Sequence, residues 1–302
     1  MKKGNRKRII GGIFTGATGV SAFLIIAIII LILVVIILGG KETFSWEFLT
    51  AFPEDGMLKG GIFPAIYGTA MLVLIMSVAA VPFGTLTAIY LTEYAGEKSV
   101  LAQTIRFAVR TLATVPSIIF GLFGLGFFIR FVGTGMDTVF LGGELKWGQP
   151  NILWASLTMA LLTLPVVIVS VEEAIRAVPR ELREASLALG ATKWQTIRNI
   201  VIPGSFSGIL TGTILAVSRG AGEVAPILFT GAAYYLATLP ASLSDQFMNL
   251  GYHIYILSTQ SSNVDQTLPI QFATTLVLLL LTFVLNFTAV IIRSGIRKRR
   301  AK

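Results

Sequence analysis

Cysteine is absent from the 302-residue sequence, and histidine occurs once, at position 253. Without thiols the chain forms neither disulfides nor thiolate metal sites, and a single imidazole is too few for a histidine metal cluster. Charged residues make up only 13% of the sequence and hydrophobic residues 54%. Because this apolar fraction exceeds what a soluble core needs and comes in long blocks, we predict an all-α, polytopic membrane protein. We expect it to need neither a metal nor another cofactor.

A nucleotide-binding loop is also missing from the sequence. The stretch Gly96-Glu97-Lys98-Ser99 lacks the glycine that precedes the lysine in a G-x-x-x-x-G-K-[ST] loop, and it lacks that loop's first glycine as well. No paired catalytic motif accompanies four neighbouring acidic residues, which we interpret as a solvated or partner-facing surface. They are Glu172, Glu173, Glu181 and Glu184. We therefore predict that the chain is not an enzyme.

Seven uncharged intervals of at least 19 residues are long enough to cross a bilayer. They cover residues 9–40, 60–92, 111–129, 147–171, 199–218, 224–244 and 266–292. The first follows a basic N-terminus, as the apolar part of a signal peptide does. It is too long for one and no small-residue cleavage site follows it, so we interpret it as an uncleaved anchor.

The placement of basic residues decides how many of these intervals cross the membrane. A net charge of +9 could indicate nucleic-acid binding, but the basic residues cluster at the two termini and between spans. With six spans and both termini in the cytoplasm, 19 of the 24 Lys and Arg residues fall in inner segments, whereas Lys41, Lys59 and Lys146 fall in outer loops, as the positive-inside rule requires. Seven spans would put the basic C-terminus outside. The fifth and sixth intervals should therefore form one span and an outer segment, and nucleic acid is not an expected partner.

This topology predicts two parts of the chain and a set of approximate span limits. Residues 1–59 form an anchor helix and the first outer loop, and residues 60–302 form the transport domain, with an inner loop at 172–203. Short helices are expected in the outer loops and along the inner interface before residue 110. The expected spans cover residues 9–40, 63–90, 111–128, 154–171 and 204–230, and a sixth follows residue 268.

The inner loop at 172–203 carries signals for a helix, a turn and a second helix. Pro179 is suited to the first turn of a helix, and Gly190 to its end. Thr192 and Gln195 fit a capping box that starts a second helix, which Pro203 should end. By composition alone this is an ordinary basic loop.

The spacing within that loop resembles the EAA loop of ABC importer permeases. In that family the sequence Glu-Ala-Ala is followed, at fixed intervals, by Gly and by Ile-x-Leu-Pro, and Ser186 and Ile202 are the two departures here. The resemblance implies that the loop forms a coupling helix, which docks on a separate ATPase subunit. The residues assigned to coupling are Glu184, Ala185, Ser186, Gly190, Ile200 and Pro203.

Two charged residues, Arg219 and Glu223, fall within the expected fifth span. On a helix they share one face, and pairing lowers the cost of holding either in hydrocarbon. A structural ion pair between packed helices is one interpretation. The other is that Arg219 faces a translocation path and offers its guanidinium to an oxyanion, while Glu223 tempers the affinity. Glycine at 220 and 222 leaves room for a solute or for a neighbouring helix.

Several further stretches are similar to the PstA family of phosphate transport permeases. The resemblance covers the chain from about residue 60 onward and implies a MetI-like helical fold. It also implies a sister permease like PstC, two ATPase subunits like PstB, and an external phosphate-binding protein like PstS. It assigns Arg219 and Glu223 to the transport route. The stretches are residues 60–65, 88–94, 115–124, 218–226 and 239–240.

The sequence thus predicts a six-span permease subunit that moves inorganic phosphate across the cytoplasmic membrane, driven by ATP hydrolysis on a partner. A permease for another oxyanion, sulfate or molybdate, is the first alternative. A carrier driven by an ion gradient, which needs no ATPase, is the second.

Overall fold

The structure, a computed structural model, describes residues 2–96, 99–261 and 264–300. Within these ranges the chain is mostly helical, with one hairpin of two-residue strands formed by β1 (Pro53–Glu54) and β2 (Lys59–Gly60) around a 3₁₀ turn at Asp55–Met57. Three π-helical segments, at Tyr90–Tyr94, Gly124–Gly133 and Ile197–Val201, extend neighbouring α-helices. The helices are α1 Lys2–Gly40, α2 Trp46–Thr50, α3 Phe63–Ile89, α4 Val100–Leu112, α5 Ser117–Phe123, α6 Thr134–Phe140, α7 Ile152–Arg176, α8 Arg180–Ala188, α9 Lys193–Thr196, α10 Ile202–Gly222, α11 Leu250–Thr259 and α12 Val264–Arg300.

Six helical stretches of the described chain are long and apolar enough to cross a membrane, so the predicted number of spans is confirmed. As expected, the fifth uncharged interval lies in a span and the sixth does not form one; the chain between the fifth and sixth spans is irregular apart from α11. The six are Gly11–Gly40, Phe63–Tyr94, Ser117–Phe140, Ile152–Arg176, Lys193–Gly222 and Val264–Gly295. The basic residues Lys98 and Lys302, which were assigned to the inner side, lie outside the described residues.

Several expected span limits are wrong. The third span begins at Ser117 rather than at residue 111, because Pro116 separates it from α4, and it continues through Arg130 to Phe140. The fifth begins at Lys193 and ends at Gly222, not at 204 and 230. Pro203 does not end the helix before it. A π-helical turn at Ile197–Val201 precedes this proline, and such local changes of pitch let a helix pass a residue that lacks an N–H group.

The core of the fold is α7, the fourth span, which packs between α3 and α10 and is the most buried of the six spans. Small residues allow this close approach. A Cβ atom on Gly84 would lie 2.6 Å from Val167, and one on Gly212 would lie 2.9 Å from Ser170. Gly208 meets Ala174 in the same way. Glycines 208 and 212 thus form a packing face against α7.

The first span, α1, is attached to the rest of the chain at one end. Gly39 and Gly40 lie against Phe272 and Ala273 of α12, whereas glycines 11, 12, 16 and 19 have nothing within contact distance. None of the most hydrophobic part of α1 is buried within the chain. This helix therefore presents its apolar surface to lipid or to another subunit.

Side-chain hydrogen bonds fix the two loops that join the first span to the second and the third span to the fourth. Ser45 caps α2 by accepting a hydrogen bond from the Phe48 amide at 3.1 Å. The buried carboxylate of Asp137 accepts three backbone N–H groups, from Lys146, Trp147 and Gly148, at 2.6–3.0 Å. Three amides directed at one carboxylate compensate its charge and fix the following loop on the end of the third span.

Candidate functional site

The predicted turn between the two short helices of the inner loop is present, and a glycine forms it. Gly190 has φ +88°, a conformation that residues with a Cβ rarely adopt. The Gly190 amide donates to the Leu187 carbonyl at 2.9 Å and the Ala191 amide to the Ser186 carbonyl at 3.2 Å. This bonding pattern is the Schellman motif, which closes the C-terminus of α8. Pro179 precedes the first residue of α8 as its N-cap rather than standing in its first turn.

The capping box that starts the second helix is also confirmed. The Gln195 side chain accepts from the Thr192 amide at 2.7 Å, and the Thr192 hydroxyl accepts from the Gln195 amide at 3.3 Å. The helix then enters the core, because Ile197 and Val201 are fully buried. We call the segment from Arg180 to Val201 the elbow: one exposed helix, one turn, and one helix joined to the fifth span.

Ser186, one of the two departures from the EAA pattern, has a definite contact. Its hydroxyl lies 2.9 Å from the hydroxyl of Thr196, which is 4% exposed. This hydrogen bond joins the two arms of the elbow across the turn. An alanine could not form this hydrogen bond, so the serine hydroxyl stabilises the elbow in addition to being small.

The surface of α8 that faces away from the rest of the chain is free to contact a partner. No residue of α8 is buried within the chain, and Glu184 and Ala185 are exposed. Large apolar side chains surround them: Leu182, Leu187, Leu189 and Trp194. An exposed apolar patch next to charged residues is typical of a protein–protein contact surface. Of the other assigned coupling residues, Ile200 is partly buried where the second arm meets the core.

Arg183 holds α8 in place, a role that the sequence analysis did not assign. Its Nε and Nη2 atoms donate to Glu93 Oε1 at 3.1 and 3.0 Å, and the two side chains are only 17% and 12% exposed. The same guanidinium donates to the carbonyls of Ile175 and Val178 at the end of α7. One side chain thus ties the elbow to the second and fourth spans. Ninety positions separate Arg183 from Glu93, so no local spacing could reveal the pair.

A second charged junction lies beside the first. Glu172 Oε1 accepts from Arg106 Nε at 3.1 Å and from Arg176 Nη2 at 2.6 Å. Arg106 also donates to the Leu91 carbonyl at 2.7 Å. This junction attaches α4 to the ends of the second and fourth spans, and it too pairs residues far apart in the sequence.

Arg219 and Glu223 lie together at the end of α10, with a local geometry that differs from the expected one. The helix ends at Gly222, so Glu223 is its extended C-cap and the two residues are not one turn apart on a continuous helix. Arg219 occupies the last turn, where the negative end of the helix dipole favours a cation. Its Nε atom lies 3.7 Å from Glu223 Oε1, and the side chains are 43% and 26% exposed. The pair is therefore loose and accessible.

The glycines around Arg219 have different surroundings. A Cβ atom on Gly220 would lie 2.5 Å from the sulfur of Met76, so this glycine lets α3 approach. Gly222 has nothing within 4 Å and is exposed, as Arg219 is. The first turn of α11 adjoins this end, because a Cβ on Gly251 would lie 2.7 Å from Val224. One glycine thus serves packing and the other leaves free space.

Within the part of the chain that the structure describes, no three His, Cys, Asp or Glu side chains are placed to hold a metal ion. The single histidine, His253 on α11, is 3% exposed and neither ring nitrogen has a hydrogen-bond partner there. Burial lowers its pKa from 6.5 to about 4, so the ring is neutral at physiological pH.

Comparisons with known proteins agree with this architecture. Residues 80–298 match the family of binding-protein-dependent transport system inner membrane components. The chain is 31% identical over 272 residues to the probable ABC transporter permease protein YqgI of Bacillus subtilis, with 86% of this chain and 87% of that protein covered. It is 32% identical over 256 residues to the phosphate transport system permease protein PstA of Xylella fastidiosa, with 82% and 84% covered. With PstA of Mycobacterium leprae the identity is 40% over 176 residues, which cover 58% of this chain and 52% of the other.

Solved structures share the fold at low sequence identity. A chain of the inward-facing MetNI methionine ABC transporter aligns with a TM-score of 0.57 at 17% identity, over 77% of this chain and 94% of that one. A chain of the bacterial alginate ABC transporter aligns with a TM-score of 0.60 at 16% identity, over 89% and 92%. The six spans, the elbow between the fourth and fifth of them, and the match over residues 80–298 together show that the chain belongs to the family of binding-protein-dependent transport system inner membrane components.

Proposed function

We propose that this chain is the membrane-spanning permease subunit of an ABC importer that moves inorganic phosphate across the cytoplasmic membrane. The observation that carries the proposal is the similarity to PstA over most of both chains, at 32% identity. The exposed Arg219 at the end of α10 fits an anionic cargo, because a guanidinium binds phosphate oxygens through paired hydrogen bonds. Division into an anchor at 1–59 and a permease domain at 60–302 is part of the same proposal.

Transport by such a chain requires partners. The sequence carries no nucleotide-binding loop, so two ATPase subunits like PstB supply the energy. A sister permease like PstC lines the other side of the pathway, and an external binding protein like PstS delivers phosphate. Both termini lie in the cytoplasm, as the distribution of basic residues indicates.

The elbow transmits the motion of the ATPase. Its exposed helix α8 carries Glu184, Ala185 and an apolar patch, which suits a cleft on the partner. Its second arm continues without interruption into the fifth span through Ile200 and Pro203. A displacement of α8 therefore reaches α10, and with it Arg219, through a single length of helix. Gly190 and Ser186 fix the angle between the two arms.

In this proposal, Arg219 and Glu223 form one phosphate-binding site on the transport route. Their separation of 3.7 Å and their exposure leave the guanidinium free to exchange the carboxylate for phosphate. Glu223 competes with the anion and so prevents it from binding too tightly to leave. The fully open position of Gly222 gives the anion space beside Arg219.

The test is phosphate uptake by the assembled transporter in lipid vesicles. Replacing Arg219 with alanine should reduce ATP-driven uptake by roughly 150-fold, the equivalent of two charge-assisted hydrogen bonds at about 1.5 kcal/mol each. Arg130→Ala is the matched control, since Arg130 is an exposed arginine of the third span and should change uptake little. Unchanged uptake by Arg219→Ala would rule out this role for the arginine.

The same vesicles separate the alternatives. Competition by sulfate or molybdate as strong as that by phosphate would favour a permease for another oxyanion. Uptake that persists without the ATPase and stops with a protonophore would favour a carrier driven by an ion gradient, and would overturn the proposal.

A further inference from the structure

A cavity of about 600 Å³ lies where the elbow meets the ends of the second and fourth spans. Its walls come from the end of the second span, from α4, from the end of α7 and from the start of α8. This volume falls within the range of about 300–1,000 Å³ that is typical of small-molecule sites.

The charged lining of the cavity is predominantly positive. Four arginines and two glutamates contribute to it, namely Arg106, Arg176, Arg180, Arg183, Glu93 and Glu184. Arg183 is paired with Glu93, and Arg106 shares one oxygen of Glu172 with Arg176. Arg180 forms no ion pair with any residue that the structure describes, and Arg176 remains 62% exposed despite its pairing. Guanidinium donors therefore remain available on two of the four arginines.

A purely structural role accounts for only part of this arrangement. Arg183 and Arg106 each bind a carboxylate and a backbone carbonyl, so they hold elements together and need no ligand. Arg180 has no such partner, and the single oxygen of Glu172 does not neutralise two arginines. Like charges gathered around one cavity repel each other unless an anion lies between them.

The surroundings of the cavity indicate the kind of anion. The neighbouring helix α4 exposes Val100, Leu101 and Phe107, an apolar surface that suits a helix lying in the membrane interface. Basic pockets between membrane helices on the cytoplasmic side bind the phosphate of acidic lipid headgroups. Guanidinium groups bind phosphate through paired hydrogen bonds in any of its esters or as the free ion.

We propose that this cavity binds a phosphate group through Arg176 and Arg180, carried either by an acidic phospholipid of the inner leaflet or by free phosphate. The bound group bridges the end of α7 and the start of α8, and so it stabilises the position of α8 from which the elbow acts. The assignment to the inner leaflet rests on the proposed topology. The binding itself can be measured without transport.

The experiment measures binding to the purified, fully assembled transporter in detergent. One arm counts short-chain phosphatidylglycerol retained in native mass spectra, with phosphatidylcholine as the reference lipid. The other arm measures radiolabelled inorganic phosphate and its competition with the lipid. The double variant Arg176→Gln/Arg180→Gln should bind the preferred ligand about thirtyfold more weakly, as expected for the loss of two interfacial arginines. Arg198→Gln, an exposed arginine outside the cavity, should bind as the unchanged protein does.

Either ligand can support the proposal, and the two arms distinguish them. Retention of phosphatidylglycerol that depends on the arginine pair and resists phosphate identifies the lipid headgroup, whereas arginine-dependent binding of phosphate alone identifies the free ion. If the glutamine pair does not assemble, Arg176→Lys/Arg180→Lys keeps the charge and should bind with intermediate strength. Binding of both ligands that is the same in the unchanged protein, the assembled arginine-pair variant and Arg198→Gln would overturn the proposal. Loss of phosphate uptake in Arg219→Ala leaves this result unaffected, so the two proposals fail separately.

Discussion

The ion pair between Arg183 and Glu93 should determine whether the elbow moves together with the second span. Both side chains are almost buried, and two guanidinium nitrogens lie 3.0 and 3.1 Å from one carboxylate oxygen. Removing one partner of such a pair leaves an uncompensated buried charge, which costs about 3–5 kcal/mol. At the lower figure, the ratio of attached to detached α8 falls by roughly 150-fold. We therefore expect Arg183→Gln and Glu93→Gln each to detach α8 from the second span.

The absence of cysteine makes the measurement direct, because two introduced cysteines are the only labelling sites. Spin labels at Leu187 of α8 and Thr104 of α4, both exposed, report the distance between the elbow and the inner interface. The unchanged pair should give one narrow distance distribution, and each single variant a broad one. Phosphate transported per ATP hydrolysed should fall in parallel, because the ATPase then moves an unattached helix.

A double-mutant cycle isolates the pair from its separate contacts. The double variant Arg183→Gln/Glu93→Gln removes both charges, so its cost should be smaller than the sum of the single costs by about 2 kcal/mol. Arg198→Gln, on the other arm of the elbow, is the control and should leave the distribution narrow. Narrow distances and unchanged coupling in both single variants would refute the reasoning.

Three further predictions follow from individual positions. Gly190→Ala should weaken coupling because its φ of +88° costs a residue with a Cβ about 1–2 kcal/mol, while Gly190→Asn should retain more activity in vesicles; equal uptake by both would contradict this. Gly208→Ala should lower the melting temperature, since its Cβ meets Ala174, and Gly126→Ala, which faces open space, should leave it equal or higher. The buried His253 should cost up to about 3 kcal/mol of stability as pH falls from 6.5 toward 4, because the unfolded chain takes up the proton first; His253→Leu should remove this dependence from melting curves.

Local signals in the sequence predicted the elbow well. The conformation of Gly190 and the capping box of Thr192 and Gln195 depend on residues within a few positions of each other. Because such features depend only on neighbouring residues, a local sequence pattern is sufficient to predict them. The number of spans was predictable for a similar reason, since hydropathy and the distribution of basic residues are properties of the sequence itself.

The contacts that hold the elbow were not predictable in this way. Glu93 and Arg183 meet only because the second and fourth spans end side by side, and Arg106 meets Glu172 for the same reason. One span limit failed at a charged residue, because the prediction ended the third span before Arg130 although that helix continues through it. Arg219 and Glu223 were expected on one helix, but the helix ends between them, at Gly222.

The contrast between the first and fourth spans has a consequence for how the protein is assembled in the bilayer. The first is the most hydrophobic of the six and none of its most apolar part is buried within the chain, whereas 67% of the corresponding part of the fourth is buried. An insertion-competent helix that needs no protein neighbours can enter lipid as an independent unit. The fourth span instead depends on its neighbours for much of its environment, so its final packing must follow the arrival of the second and fifth. We therefore expect the first span to insert into the bilayer independently, and the fourth span to reach its final packing last.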